Sequence, residues 1–138
     1  MVLTSRMEDH VHGPLVPELE LILPEAFAQR IRRPGIVNAM EDDGFNKAVK
    51  ATGRKRLFLA GVTTEICVTF AVLQMLEEGY DVQVSADASA SWSKYGNEIA
   101  LRRIEKAGAE RQEVGGDPRL PVKAASSCGK VDLPAPMT

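Results

Sequence analysis

The residue best suited to covalent chemistry in this sequence is Cys67, which comes shortly after Thr64-Glu65. The pattern around it predicts the first turn of a helix that follows a buried strand. Open α/β sheets bind ligands outside the carboxyl ends of their strands. The free N–H groups and the positive dipole end of a helix favour a thiolate, and they can also hold an oxyanion. We therefore interpret Cys67 as a candidate nucleophile, with an inert cysteine packed under the sheet as the alternative.

The elements that position Cys67 are predicted to form a strand–helix–strand unit. Residues 56–60 are a short apolar run ending at Gly61, which is typical of a buried parallel strand. The helix after it has apolar residues along one face and ends at Gly79; these are Val68, Ala71, Val72, Met75 and Leu76. Residues 82–86 predict the second strand. A unit of this length is a βαβ motif, whose crossover is right-handed in nearly all proteins.

The rest of the first 110 residues predicts further helices and one more short strand. Helices are expected at residues 18–23, 45–51 and 97–106, and a strand stub at residues 2–3. Asp42 or Asp43 can cap the second helix, and the third helix has Ile99, Leu101 and Ile104 on a helical pattern. The sequence therefore predicts an α/β fold, a parallel sheet covered by helices on its faces.

The composition places the chain among globular proteins and excludes several classes of partner. It has 138 residues, 44% of them hydrophobic, with 17 basic and 19 acidic side chains for a net charge of −2. This balance gives no electrostatic reason to expect nucleic acid. The longest apolar stretch, residues 66–76, is too short for a membrane span, and no secretory signal is visible. We expect a soluble cytoplasmic protein that binds neither nucleic acid nor membranes.

The composition changes near Glu110, where the periodic patterns stop. Residues 111–138 contain four prolines and no aromatic residue, and neither a helical nor an alternating period fits them. We therefore predict one domain over residues 1–110 and an irregular or disordered tail over residues 111–138. Cys128 lies in that tail and is expected to be a free, exposed thiol.

Two other clusters have more ordinary interpretations. One loop contains Asp9, His10 and His12. A metal site needs three or four ligands supported by neighbouring groups, and the spacing of these residues does not provide them. We therefore expect a polar loop and predict no metal. The basic run Arg54-Lys55-Arg56 precedes a buried strand and has no aromatic residues interleaved with it. We interpret this run as a solvated turn.

Several segments resemble the isochorismatase-like cysteine hydrolases. The run at residues 59–68, Leu-Ala-Gly-Val-Thr-Thr-Glu-Ile-Cys-Val, is similar to the nucleophile segment of that family. The other matches are Arg33-Pro34-Gly35 with Asn38-Ala39, the helix at residues 45–53, and Gly79-Tyr80-Asp81-Val82 leading to Asp87-Ala88. The resemblance covers roughly residues 2–110, with the motifs in the order and spacing of the family. It implies a three-layer α/β/α domain with a parallel sheet.

The resemblance implies roles for four residues of the candidate site. Cys67 is the nucleophile, and Arg33 stands where the family usually has a lysine. An arginine keeps its proton near neutral pH, so it can favour the thiolate but cannot shuttle protons. The Thr63 and Cys67 N–H groups form an oxyanion hole, aimed by a cis peptide between Val62 and Thr63. Glu65 has an orienting role. No organic cofactor is implied.

The resemblance also implies that the domain is incomplete at both ends. The family's third catalytic residue, an aspartate, ends a central first strand that has no counterpart in this sequence. We therefore predict a gap in the sheet, with unpaired backbone groups on the two strands beside it. The family's last strand is expected just after Ala109. The residues there, from Gln112 onward, replace that strand with a segment that has no strand pattern, so we predict that no strand follows Ala109.

The function implied by the resemblance is a cysteine hydrolase, or amidohydrolase, that cleaves a C–N amide or related bond of a small-molecule substrate. Members of the family commonly assemble, and open sheet edges favour a partner chain, so a homo-oligomer is expected. The alternative is a catalytically inactive remnant that acts as a binding or oligomerisation module. A phosphate or nucleotide binder ranks below both, because no glycine-rich loop follows a strand.

Overall fold

A computed structural model describes residues 1–7, 10 and 12–114 of the chain. The described strands are β1 (Ser5–Arg6), β2 (Ile31–Arg32), β3 (Arg56–Leu59), β4 (Asp81–Ser85) and β5 (Glu110–Gln112). The described α-helices are α1 (Glu18–Ile22), α2 (Pro24–Ala28), α3 (Asp43–Ala51), α4 (Thr69–Glu77) and α5 (Lys94–Ala107). A 3₁₀ turn at Ala39–Glu41 precedes α3, and a π-helical turn at Thr64–Val68 leads directly into α4.

The strands form two parallel sheets, β1-β2 and β3-β4-β5. In the first sheet Ser5 is opposite Ile31, and in the second Leu57 is opposite Val82. With its covering helices, this arrangement is the predicted three-layer α/β/α fold. The described strands of the two sheets do not pair with each other, and the gap that the resemblance implies stays a prediction.

β4 is the central strand of the larger sheet, and it is buried on both faces. Val82 and Val84 are fully buried, and so are the polar Gln83 and Ser85 between and after them. The Gln83 amide is satisfied because its Nε2 donates to the Glu110 carboxylate over 2.6 Å. This double burial is the environment expected for an interior strand of a sheet with helices on both faces.

α1 and α3 lie close to their predicted ranges, whereas α5 begins at Lys94 rather than at residue 97, and α2 was not predicted. The Asp42 carboxylate accepts the Phe45 N–H over 2.9 Å and caps α3, and Ser93 caps α5 through the Gly96 N–H. Gly108 has a φ of 115° directly after α5, a conformation that favours glycine. The apolar face of α4 is buried as predicted, through Ala71, Val72 and Met75.

One hydrophobic core joins these elements. It contains Phe45 and Val49 of α3, the buried face of α4, the valines of β4, and Leu101 and Ile104 of α5. The assignment of Ile99 to the apolar face of α5 is wrong, because its side chain is 49% exposed. Leu101 and Ile104 carry the buried face together with Ala100.

The prediction that no strand follows Ala109 is wrong. β5 begins at Glu110 and pairs in parallel with β4, with Arg111 opposite Val84. The three residues of β5 are all charged or polar, so a search for apolar runs does not find this strand, which forms through its backbone hydrogen bonds to β4. Residues 115–138 lie outside the described residues, so the domain boundary at residue 110, the irregular tail and the exposed thiol of Cys128 stay predictions.

Candidate active site

Cys67 lies in the π-helical turn that connects the end of β3 to α4. Its side chain is half-buried, and its thiol forms no disulfide. The buried side chains of Thr64 and Val68 hold the turn on either side. The Thr69 Oγ1 donates to the Thr64 carbonyl over 2.7 Å and ties the turn to the start of α4. π-helical turns of this kind occur frequently at functional sites.

The backbone before Cys67 has the arrangement that the resemblance implied. The Val62–Thr63 peptide is cis, as predicted. The Thr63 carbonyl accepts the N–H groups of Ile66 and Val68, the residues on either side of Cys67. Val62 also forms a parallel bridge with Ala90, which anchors the loop after β4 beside the turn.

Arg33 is buried, at 7% exposure, directly after β2. Its Nε donates to Ser5 Oγ over 2.7 Å, and its Nη1 donates to the carbonyls of Ile36 and Val37. Burial lowers the pKa of the Arg33 guanidinium, and charge interactions with Cys67 and Asp42 act in the opposite direction. The guanidinium therefore lies within electrostatic reach of the sulfur and is held there by neutral acceptors.

Cys67 and Arg33 line one cavity of about 410 Å³, at the carboxyl end of β3. Apolar side chains such as Leu59, Val68 and Ala71 form much of its wall, and Gly61 and Val62 lie at the end of the strand. A small molecule in this space can reach both the sulfur and the guanidinium. The place agrees with the general position of ligand sites in open α/β sheets.

Glu65 contacts the loop before α5. Its half-buried carboxylate accepts the hydroxyl hydrogen bond of Ser91. Gly96, in the first turn of α5, lies next to the same pair. This contact connects the turn that carries Cys67 with the loop after β4.

The sequence did not single out two neighbours of Arg33. The Ser5 hydroxyl accepts a hydrogen bond from the Arg33 Nε. Asp42 caps α3 and also lies close enough to Arg33 to influence the pKa of the guanidinium. The N-cap pattern predicted Asp42 as a structural residue, and nothing in the sequence showed that the cap faces the candidate site. Within the described part of the chain, no carboxylate is within hydrogen-bond distance of the Cys67 sulfur.

The loop with Asp9, His10 and His12 is described only in part, because Asp9 is outside the described residues. Arg6 donates to the carbonyls of His12 and Gly13, so these two residues lie beside β1. Over residues 1–7, 10 and 12–114, no three metal-ligating side chains come together. In the same part of the chain, no helix is long and apolar enough to cross a bilayer.

Comparison with known proteins identifies the family. Residues 9–114 match the isochorismatase domain. The chain belongs to the isochorismatase family. The match includes the Cys67 turn, Arg33 and β5, so the candidate site and the last described strand lie inside the family domain.

The isochorismatase relatives include two bacterial proteins of substantial identity. A probable hydrolase, YcaC of Escherichia coli, is 46% identical over 109 residues, which is 79% of this chain and 51% of that protein. The structure of YcaC from Pseudomonas aeruginosa, with hexane-2,5-diol and covalent acrylamide, superimposes with a TM-score of 0.73 at 47% identity and covers 80% of this chain and 54% of that one. The E. coli YcaC structure is described as an octameric hydrolase of unknown specificity.

A more distant neighbour shows how widely this isochorismatase fold is shared. The nicotinamidase of Staphylococcus aureus superimposes with a TM-score of 0.64 at 21% identity, covering 80% of this chain and 73% of that one. At this identity the likeness concerns the fold alone. The chain spans about half the length of the first curated relative and of the YcaC structures.

Proposed function

We propose that the chain is a cysteine hydrolase of the isochorismatase family that cleaves a C–N amide or related bond of a small molecule. The observation that carries the proposal is that Cys67 and the buried Arg33 line one cavity at the carboxyl end of β3. Cys67 is the nucleophile, and Arg33 favours its thiolate. A guanidinium keeps its proton near neutral pH, so Arg33 supplies charge without exchanging protons.

The reaction proceeds through a thioester. The Cys67 thiolate attacks the substrate carbonyl carbon, and the resulting oxyanion accepts the Thr63 and Cys67 N–H groups. The C–N bond then breaks, and the leaving nitrogen takes a proton from water. Water attacks the thioester, the S–C bond breaks, and the acid leaves with the thiolate restored. The Thr63 carbonyl accepts the Ile66 and Val68 N–H groups on either side of Cys67, and this local backbone arrangement supports the proposed oxyanion role.

Glu65 orients this site. Its hydrogen bond to Ser91 holds the loop after β4 against the turn that carries Cys67. The assembly is a homo-oligomer, a proposal supported by the octameric state described for E. coli YcaC. The cytoplasmic location also remains a proposal.

A second candidate is an inactive remnant that keeps the scaffold for binding or oligomerisation. The observation that favours it is that the described residues place no carboxylate beside Cys67 to act as a general base. The two functions differ in turnover, since a remnant can keep a reactive thiol without completing the hydrolysis.

The test uses p-nitrophenyl acetate, an activated ester, as the probe. We expect one equivalent of p-nitrophenol per chain in a burst, followed by steady release, with the acetyl group on Cys67 in a peptide map. Cys128→Ser is the matched control and is expected to behave as the unaltered chain. Cys67→Ser is expected to abolish the burst. A burst without steady release would assign the chain to the remnant, and no burst at all would remove Cys67 as nucleophile.

A further inference from the structure

The place of the Arg33 guanidinium depends on the short loop that follows β2. Its Nη1 donates to the carbonyls of Ile36 and Val37, the second over 3.0 Å. The loop turns tightly at Gly35, which has a φ of 68° and donates its N–H to the Arg33 carbonyl over 3.1 Å. Whatever fixes the two carbonyls therefore also fixes the guanidinium that binds them.

Asn38 fixes the end of this loop. It is buried, at 8% exposure, and its Oδ1 accepts the Met40 N–H over 3.1 Å, which caps the 3₁₀ turn at Ala39–Glu41. Its Nδ2 donates to Gln74 Oε1 over 2.7 Å. Because the Val37 carbonyl and the Asn38 N–H belong to one planar peptide group, these two bonds restrict the orientation of that carbonyl.

Gln74 connects this loop to the helix that follows Cys67. It lies on α4, seven residues after Cys67, and its Nε2 donates to the Glu78 carboxylate over 3.0 Å. With the amide nitrogen bound to Glu78, the Gln74 Oε1 is the atom that accepts from Asn38. The turn that carries Cys67 leads directly into this helix. The Asn38–Gln74 bond therefore joins the loop that holds Arg33 to the helix that continues from Cys67.

Neither side chain of this bond can act on Cys67 directly. Both are neutral amides, and neither is among the described residues that line the cavity beside Cys67. Any effect of Asn38 or Gln74 on the reactivity of the sulfur must therefore pass through the position of another group. Arg33 is a charged group in that cavity, and one of its acceptors is the carbonyl directly before Asn38.

We propose that Asn38 and Gln74 are positioning residues for Arg33. Their hydrogen bond fixes the Ile36–Val37 segment relative to α4, and through its carbonyls it keeps the guanidinium beside the sulfur of Cys67. A buried guanidinium stays with its acceptors because leaving a donor unpaired there is costly, so the acceptors determine where the charge lies. The effect on Cys67 rests on the proposed function, whereas the placement of the guanidinium does not.

The experiment uses the full chain in the Cys128→Ser background, and its main variant is Gln74→Met. Methionine is close to glutamine in length and helix propensity, and the Asn38 amide keeps its longer bond to the Glu41 carboxylate, 3.3 Å away. The first readout is hydrogen exchange of the Arg33 Nε–H, followed by NMR with isotope-labelled arginine and identified by its loss in Arg33→Lys. We expect exchange about tenfold faster in Gln74→Met, because the guanidinium leaves its acceptors more often. Unchanged exchange would overturn the proposal.

The second readout is the rate at which acrylamide alkylates Cys67 at pH 7. We expect Gln74→Met to slow this reaction about threefold and to cause no further loss in the Arg33→Met background, because the effect passes through the guanidinium. An equal loss in both backgrounds would overturn the proposal, and so would an unaltered rate where Arg33→Met itself slows the reaction. If Arg33→Met has no effect, the proposed function of Arg33 fails, and the Nε–H exchange alone then decides the placement.

Two further variants separate positioning from a general loosening of the fold. Asn38→Ser keeps a capping side chain for the Met40 N–H but is too short to reach Gln74, so it should reproduce both changes, and it carries the test if circular dichroism shows that Gln74→Met has not folded. Asn46→Ala is the matched control, because it removes hydrogen bonds to the Met40 carbonyl and Glu78 and leaves the Asn38–Gln74 bond in place. It should match the parent in both readouts. Asn38→Ser with the values of the parent, or Asn46→Ala with changes as large as those of Gln74→Met, would overturn the proposal.

Discussion

The hydrogen-bond partners of Arg33 are unusual for a buried arginine. Most buried arginines are paired with a carboxylate, whereas here the guanidinium is held by a hydroxyl and two carbonyls, with Asp42 contributing at longer range. This arrangement leaves net positive charge facing the cavity and the sulfur of Cys67. In the proposed mechanism, this charge favours the thiolate of Cys67.

Glu78 provides a pH-dependent contact at the end of α4. Hydrogen bonds from Gln74 and Asn46 and the charge of Lys50, 3.5 Å away, lower the pKa of the Glu78 carboxyl, with Gln74 the largest cause. A carboxyl with a lowered pKa stabilises the fold above its usual pKa, and this contribution is lost as the pH falls through the folded value.

Glu78→Gln is therefore expected to lower the free energy of unfolding at pH 7, by at most about 1 kcal/mol. The difference from the unaltered chain should shrink as the pH falls through the lowered pKa of Glu78 and vanish below it, where both carry a neutral side chain. Urea unfolding at several pH values measures this difference in the free energy of unfolding. Glu77→Gln is the matched control, because Glu77 has no hydrogen bond or ion pair in the described part of the chain. A loss of unfolding free energy that stayed constant with pH would contradict the assignment of this stabilisation to the ionised Glu78 carboxylate.

At the scale of elements, α3 connects the core to the site. Its N-cap Asp42 accepts the Phe45 N–H, and Phe45 is both a core residue and part of the cavity wall. The same carboxylate acts on Arg33 through its charge. One side chain therefore fixes the start of a helix and contributes to the electrostatics beside Cys67.

Asp42→Ala is expected to lower the free energy of unfolding by about 1 kcal/mol, because it removes this cap. Asp43→Ala, one residue later in the first turn, is the matched control and should cost at most about 0.5 kcal/mol, since it loses only a dipole interaction. Urea unfolding of both variants at pH 7 checks the difference. Equal losses would show that the Asp42 hydrogen bond is not what begins the helix.

The sequence predicted those elements whose side chains carry a period. The βαβ unit around Cys67 was predicted because α4 has an apolar face and β3 is an apolar run, and both are where expected. β2 and β5 were missed because they are two or three residues long and largely charged or polar. Their partners in the sheet determine them, and a local pattern contains no information about a partner.

The part of the candidate site that is contiguous in the sequence could be predicted, whereas the contacts between distant segments could not. The residues from Val62 to Cys67 are contiguous, so their motif could be read directly, including the cis peptide that the structure has. Arg33 was carried over from the resemblance, and its neighbours Ser5 and Asp42 come from distant parts of the chain. Their convergence depends on the pairing of β1 with β2, which has no local signal.

At the scale of the whole molecule, one surface beside the site exposes apolar side chains. Ile66 and Phe70 lie one helical turn apart, and Ile99 lies on α5, which packs against α4; these three are 41%, 42% and 49% exposed. Apolar surface of this kind commonly marks an interface.

We expect the chain to form a homo-oligomer. The double variant Phe70→Ser, Ile99→Ser is expected to raise the dissociation constant of this assembly at least about tenfold, so that smaller species dominate. Light scattering after size-exclusion chromatography measures the mass over a range of concentrations. Leu21→Ser is the matched control, because Leu21 is 86% exposed on the separate helix α1. A double variant with the same mass as the unaltered chain would place the interface elsewhere.

The central claim is that the charge of Arg33 makes the Cys67 sulfur reactive, and the rate of its alkylation by acrylamide at pH 7 tests this most directly. In the Cys128→Ser background, which leaves Cys67 as the single thiol, we expect Arg33→Met to slow the reaction about tenfold and Arg33→Lys to keep most of the rate. Circular dichroism identifies variants that have not folded. Equal rates in folded Arg33→Met and its parent would contradict the account, because the sulfur would then react without help from the guanidinium.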